Sequence, residues 1–343
     1  MQDILTCAMG LDIHRDIIVA CLAKGELGTD PEIEIRSFST LIPEMQKLRD
    51  WVLEAECYHV AMESTGIYWQ PIYEMLESCF DGQINILVVN ARHMKNVPGR
   101  KTDLRDAQWI ATLLRAGLLK GSFIPDKTFR ELRHLTRYRK SIVHDITTQK
   151  NRIDKFLQSS GFRFTAFLSD AFGASGRNII RHLMEYGNIS REALDRCLKT
   201  QTRKRIDEIL IALNGSLSDH QRSFLRMIFE HLETLEQHRR TVENAITEEI
   251  TKHEDALRLL CSIPGIDVTA ASAIIAEIGN DMNAFPDSQH LCSWAGLSPG
   301  NNESAGKRKS AHINKGNPYL KSRLCEIGWV ISGKRTLYLS VWY

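Results

Sequence analysis

The sequence predicts a mixed α/β domain at its N-terminal end followed by a mostly α-helical region. Short apolar or alternating segments recur through residues 4–90, separated by stretches with helical spacing. From residue 128 onward the apolar residues step by three and four over long spans instead. The chain has 343 residues, 43% hydrophobic and 25% charged, which suits a globular protein with two or three domains.

Taken in order, ILTCAMGLD (4–12) and DIIVACLA (16–23) read as two hairpin-linked strands. EIEIRSFS (32–39) alternates with period two and gives a third strand. Residues 42–56 carry helical spacing, and YHVAMES (58–64) forms a fourth strand. GIYWQPIYEML (66–76) reads as a helix with Ser64 or Thr65 as N-cap. INILVVN (84–90) is a fifth strand, followed by a loop and a helix containing Asp103 and Asp106. A three-stranded meander followed by alternating helix and strand makes a mixed five-stranded sheet with helices on its faces. The β-β-β-α-β-α-β-α order is that of the ribonuclease H-like fold, which by itself fixes no function.

Two long helices follow, over 128–160 and 216–257. In the second, Leu225, Ile228, Leu232, Leu235, Val242, Ile246 and Ile250 form a coiled-coil-like seam, broken at Arg239, that could close within one chain or between two. The first carries Leu132, Leu135, Ile142, Ile146, Ile153 and Leu157 at compatible spacing. Around them stand Arg130, Arg133, Arg137, Arg139, Lys140, Lys150 and Arg152, either a solvated face or an arm gripping a phosphate backbone. Residues 161–215 read as helical and say little more. In LLCSIPGIDVTAASAIIAEIG (259–279), IPGI between apolar helices resembles a helix–hairpin–helix, whose glycine lets backbone N–H groups approach phosphate. A tight turn between core helices explains the glycine equally well. The expected organisation is a sheet domain over 1–122, a helical coiled-coil arm and linker over 123–255, and a C-terminal domain over 256–343.

Net charge is only +2, yet residues 127–155 hold nine Lys or Arg against three acids, and 304–343 hold eight against Glu326 alone. Such basic blocks are the footprint of nucleic-acid contact. No apolar run of eighteen residues appears, so no membrane span is expected. MQDILTCAMGLD lacks the basic and apolar regions of a signal peptide, which leads to the expectation of a cytoplasmic protein. The eight cysteines form no CxxC pair and no zinc-ligand spacing, so they read as buried reduced thiols.

Four carboxylates fall at chemically informative places. Asp12 ends the first strand, Glu63 ends the fourth, and Asp103 and Asp106 share a helix face through their i, i+3 spacing. In this sheet order the first and fourth strands are neighbours, so all four can converge at one edge. Carboxylate oxygens suit Mg²⁺ or Mn²⁺, and a pair of such ions clamps the attacking and leaving oxygens of a phosphoryl transfer. Singly, each aspartate reads as well as a turn residue, and Asp103 as a helix cap. Together, in this order, they favour a metal site.

Near the C-terminus, CSWAGLSPGNNESAGKRKSAHINKGNPYLKSRL (292–324) has a polar, glycine- and asparagine-rich core. Ser304 precedes Lys307, Arg308 and Lys309, with Lys315 beyond, and such cations would stabilise charge developing on a phosphate. Ser298 and Ser310 stand as alternatives by position, since most loop serines only form turns.

MGLDIHRD, AMESTGIYW, NARHMKNVPGRKTDLRDAQWIA, SIPGIDVTAASAIIAEIG and WAGLSPGNNESAGKRKSAHINKGNPYLKSRL together resemble the DEDD transposases of insertion sequences, over nearly the whole chain and in the right order. The resemblance implies a RuvC-like N-terminal domain and a C-terminal transposase domain. It implies that Asp12, Glu63, Asp103 and Asp106 hold Mg²⁺ or Mn²⁺. It also implies that Ser304 is the nucleophile that cleaves and rejoins DNA through a phosphoserine link. It further implies a bacterial homodimer or homotetramer, nucleoid-associated when bound, that recombines donor and target ends under guidance of a bridge RNA. Ala305 stands where the family usually has glycine, and the apolar ending TLYLSVWY leads to the expectation of a shortened chain. The alternative readings are a RuvC-like Holliday-junction endonuclease acting through metal-activated water, and a non-catalytic RNA–DNA scaffold.

Overall fold

Three apolar segments at the start of the chain pair as an antiparallel meander: β1 (Cys7–Ile13), β2 (Ile17–Lys24) and β3 (Glu32–Ser39). They belong to a computed structural model that describes residues 3–64, 66–79, 83–90, 106–299, 302–304, 307–310, 312–313 and 315–333, with backbone only at 302–304 and 307–310. The chain divides into two units, Met1–Ile124 and Pro125–Tyr343.

In the first unit, α1 (Ile42–Glu54) leads to β4 (His59–Glu63), which pairs parallel with β1. Then α2 (Gln70–Cys79) leads to β5 (Asn85–Val89), parallel to β4, and α3 (Asp106–Arg115) follows. The order β3-β2-β1-β4-β5 is the mixed five-stranded sheet the sequence predicts, with β1 at its centre. Period-two alternation gives the sheet two different faces. Met9, Leu11, Ile13, Val60 and Met62 pack with Leu48 and Trp51 of α1 and Ile72 and Leu76 of α2. Ala8, Ala61 and Val89 meet Ile110 and Leu114 of α3 on the other face, where small residues let the helix come close.

The helix after β4 starts later than its apolar pattern, at Gln70 rather than at residue 66. Gly66 takes a left-handed φ of 61° inside a turn, which ends any helical run there. Ser64 therefore does not cap; its N–H extends the sheet by donating to Val89 O (2.9 Å). Thr65 and Asp103 lie outside the described residues.

The second unit begins with α4 (Lys127–Ser159), followed by α5 (Ala174–Tyr186), α6 (Arg191–Cys197), α7 (Thr200–Arg203), α8 (Ile206–Ala212) and α9 (Asp219–Ile250). A capping box between Ser218 and Gln221 starts α9. The two long helices run antiparallel. Phe156 stacks near Phe224 (5.0 Å), Gln149 Nε2 donates to Ile228 O (2.6 Å), and Arg139 Nε donates to Glu243 (2.9 Å). Both apolar stripes are buried in one core within the chain, together with Ile179, Ile180 and Leu183 of α5. The seam's apolar groups are thus covered without a second chain.

Past a 3₁₀ turn at Thr251–His253 come α10 (Glu254–Cys261), α11 (Val268–Ile278) and α12 (Ser288–Ala295). A short hairpin of β6 (Asn302–Ser304) and β7 (Lys307–Ser310) precedes α13 (Pro318–Ser332). Gly265, in the IPGI turn, has a φ of 91°, and a Cβ there would lie 2.9 Å from Ile331 Cγ1 of α13. Turn geometry and helix packing both account for this glycine. Among the described residues no helix is long and apolar enough to cross a membrane.

Candidate carboxylate site and serine hairpin

The register fixes where the carboxylates stand. Leu11 of β1 is opposite Met62 of β4, so the next residues, Asp12 and Glu63, occupy adjacent positions at the C-terminal ends of neighbouring parallel strands. Alternation puts Asp12 on the face of Ala8 and Gly10, and Glu63 on the face of Ala61. That is the face covered by α3, and Asp106 is the first residue of α3.

Gly10 makes the approach possible. A Cβ built there would stand 2.2 Å from Ala107 O and 2.4 Å from Ala111 N, so only glycine lets the α3 backbone rest on β1 at this point. At the other end of α3, the nearly inaccessible Arg115 acts as an anchor. It donates to Leu5 O (3.1 Å), Gly25 O (3.2 Å) and Glu26 O (2.7 Å), and pairs with Asp3 (3.3 Å). A sheet contact and a buried guanidinium thus fix the seat of α3, and with it the place of Asp106.

Electrostatics registers the convergence. The Asp12 carboxyl is held above its ordinary range, first by burial and then, against the pull of His14, by the charges of Asp106 and Glu63. His14 Nε2 lies 3.2 Å from Asp12 Oδ2. Among the described residues no three His, Cys, Asp or Glu side chains form a metal-ligating group, and Asp103 lies outside that set. The donor chemistry fits a hard divalent cation: the converging groups are carboxylates, and their mutual repulsion is what a cation would offset.

In the second unit the register sets Ser304 opposite Lys307, and Glu303 opposite Arg308. The hairpin springs from a narrow neck. Asn317 N–H donates to Trp294 O (2.9 Å), and Pro299 bridges Ile313. A Cβ on Gly316 would stand 2.2 Å from Gly296 N, so the two stems touch backbone to backbone.

The basic residues of α4 have mixed placements. Arg130 is buried and donates to Pro125 O (2.9 Å). Arg133 donates to Ala276 O (2.9 Å) and to Glu277 O, capping the C-terminal end of α11. Burial lowers its guanidinium to about 10, against the pull of Glu277. Arg137 holds the Glu277 carboxylate with two bonds of 2.8 Å, Arg139 pairs with Glu243 (2.7 Å), and Lys140 donates to Ser322 (2.8 Å). Lys150 lies over the Phe172 ring (5.5 Å), Arg152 is exposed beside Gln149 (2.5 Å), and Lys315 is exposed. Lys307, Arg308 and Lys309 lie on β7. The inner part of this basic face is therefore already engaged inside the protein, while Lys150 is half-buried and Arg152 exposed toward its outer end.

Sequence patterns alone missed Gly10, Arg115, Glu277 and Asn317. A glycine inside an apolar strand was the one available sign for Gly10. For Arg115 the sign was a lone cation ending an amphipathic helix.

Comparison with known proteins bears on the same segments. An IS110-type DEDD transposase model, described as Transposase, matches residues 9–161. A second model, described as Transposase IS116/IS110/IS902 family, matches residues 257–340. A protein of Sinorhizobium fredii (strain NBRC 101917 / NGR234) with the provisional designation transposase y4qE is 24% identical over 293 residues, or 82% of this chain. The chain spans 61% of the length of that relative. The first model takes in Asp12, Glu63 and Asp106, and the second takes in the Ser304 hairpin. With both models matched in order, and well over half of its residues covered, the chain belongs to the IS110 family of transposases.

Proposed function

We propose that the protein cleaves and rejoins DNA strands during transposition of an insertion sequence. The observation that supports this is that Asp12, Glu63 and Asp106 stand at one end of one sheet face, near enough for the charges of Asp106 and Glu63 to act on Asp12, in a chain of this family. With Asp103 they would hold Mg²⁺ or Mn²⁺, which when bound supplies positive charge against the phosphate oxygens. Burial and the charges of Asp106 and Glu63 hold the Asp12 carboxyl above its ordinary range, and a bound cation would favour its ionised form. Gly10 and Arg115 hold α3 so that Asp106 stays at the strand ends.

Ser304 Oγ attacks the DNA phosphorus. The Oγ–P bond forms, a P–O bond to deoxyribose breaks, and the departing oxygen takes a proton. Attack by another strand's hydroxyl on the phosphoserine reverses the exchange and regenerates the serine, so no external energy source is required. Lys307, Arg308, Lys309 and Lys315 neutralise the DNA backbone near the hairpin, and Lys150 and Arg152 do so along α4. Donor and target selection by a bridge RNA and action as a homodimer or homotetramer belong to this reading through the family resemblance.

The test is to incubate the protein with nicked, labelled donor DNA and Mn²⁺, trap any covalent protein–DNA adduct, and map it. The expected result is an adduct on Ser304 that disappears in Ser304→Ala, and that Asp106→Asn reduces about 100-fold or more through lost cation binding. Cutting that survives in Ser304→Ala without an adduct would establish water as the nucleophile and sink the serine reading.

A further inference from the structure

Glu277 sits near the end of α11 and is 2% exposed, an unusual place for a carboxylate. Arg137 binds it through two hydrogen bonds of 2.8 Å, and Arg133 Nε lies 3.3 Å from Oε2. Its third partner is the Asn317 side chain, whose Nδ2 donates to Oε2 at 2.6 Å. Asn317 is also the N-cap of α13: its Oδ1 accepts from Tyr319 N (2.9 Å) and Leu320 N (3.1 Å). A carboxylate can only accept here, so it obliges the asparagine to present its amide N–H₂ inward and its oxygen to the helix.

The same residues frame the neck of the serine hairpin. Asn317 N–H closes onto Trp294 O at 2.9 Å. The Arg133 guanidinium lies over the Trp294 ring (5.9 Å), and that of Arg137 over Tyr319 (4.2 Å). One stem, at Trp294, and the other, at Asn317 and Tyr319, are thus tied to α4 through one buried carboxylate. We propose that Glu277 is a positioning residue for Ser304: with Arg133, Arg137 and Asn317 it sets the direction in which the 302–310 hairpin leaves the neck. The inference rests on the reading of Ser304 as nucleophile. An apolar cluster would hold α4 and α11 together equally well, whereas charged, bidentate bonds fix orientation. A stem misdirected by about 1 Å costs on the order of 100-fold in reaction at the hairpin's end.

The test uses the full chain with Glu277→Gln and Asn317→Ser. The serine variant keeps an oxygen that can cap α13 while removing the amide that reaches Glu277, so it separates helix capping from positioning. Three quantities are read: adduct formation, Mn²⁺ binding, and the rate of tryptic cleavage after Lys307, Arg308, Lys309 and Lys315 relative to sites elsewhere. Both variants should form adduct about 100-fold more slowly and be nicked selectively in the hairpin, with Mn²⁺ binding unchanged. Wild-type adduct rate and hairpin protection in Asn317→Ser would overturn the proposal. So would a loss of adduct that tracks uniform loss of protection along the chain, which marks a merely structural role. If Glu277→Gln does not fold, Asn317→Ser decides alone. An adduct that persists in Ser304→Ala would instead refute the serine reading, while selective nicking still reports on the neck.

Discussion

Replacing Gly10 with alanine tests how α3 is seated on the sheet. The added Cβ would meet Ala107 O at 2.2 Å and Ala111 N at 2.4 Å, both backbone atoms that no rotamer change can move. Ordinary contact needs about 3.4 Å or more, so α3 must lift by about 1 Å or tilt about its Arg115 anchor. Overpacking of this kind costs about 1–3 kcal/mol, which for a protein of this size lowers the melting temperature by several degrees. The larger effect falls on the site, because the lift moves Asp106 away from Asp12 and Glu63. Calorimetric titration with Mn²⁺ should show strongly weakened binding, and strand cleavage should fall by about 100-fold. A Gly10→Ala protein with unchanged melting temperature and unchanged Mn²⁺ affinity would show that α3 does not rest on β1 in this way.

Arg115→Met should destabilise the first unit by about 3–5 kcal/mol, since it removes the guanidinium donor from the carbonyls of Leu5 and Gly25, takes one of several donors from Glu26 O, and leaves Asp3 without its partner. Denaturant titration, with equal stability as the refuting result, checks this. The raised carboxyl of Asp12 predicts two opposite responses to pH. In cation-free protein its contribution to stability is fully present below the unfolded-state value and is lost as pH rises through the folded-state value. Cation affinity moves the other way, weakening as pH falls through the folded-state value because protons compete for the same oxygens. Thermal melts and Mn²⁺ titrations across the acid range, on the parent and on Asp12→Asn, separate the two, and a flat profile for Mn²⁺ affinity would contradict them.

The sheet was legible in the sequence because its signal is local. EIEIRSFS alternates with period two and forms β3 over those very residues, and the small and apolar residues of β1 sort onto its two faces. Asp12 and Glu63 were legible for the same reason: each ends a strand, and strand order makes them neighbours. The turn at Gly66 was not legible, because an apolar run with helical spacing hid a left-handed residue that only φ discloses. The roles of Arg133 and Arg137 were hidden for a different reason. Their spacing on α4 is that of a solvated basic face, and what engages them is Glu277, more than a hundred residues away in sequence. Charge counts along a chain cannot distinguish a cation that meets phosphate from one that meets a buried carboxylate.

The strand order has a consequence for how the protein is made. β1 precedes the other four strands of its sheet in the chain but is the central one in the finished sheet, and its parallel edge waits for β4. Until residue 63 has emerged, the meander presents an unpaired edge running through MGLDI, a template for pairing with another nascent chain. Asp12 lies on that edge, and its partners arrive later still, Asp106 last. A ribosome-bound fragment of this protein therefore passes through an aggregation-exposed stage before Asp12, Glu63 and Asp106 can come together. Translation rate or chaperone supply between the codons of β1 and those of α3 would thereby govern how much folded protein a cell accumulates.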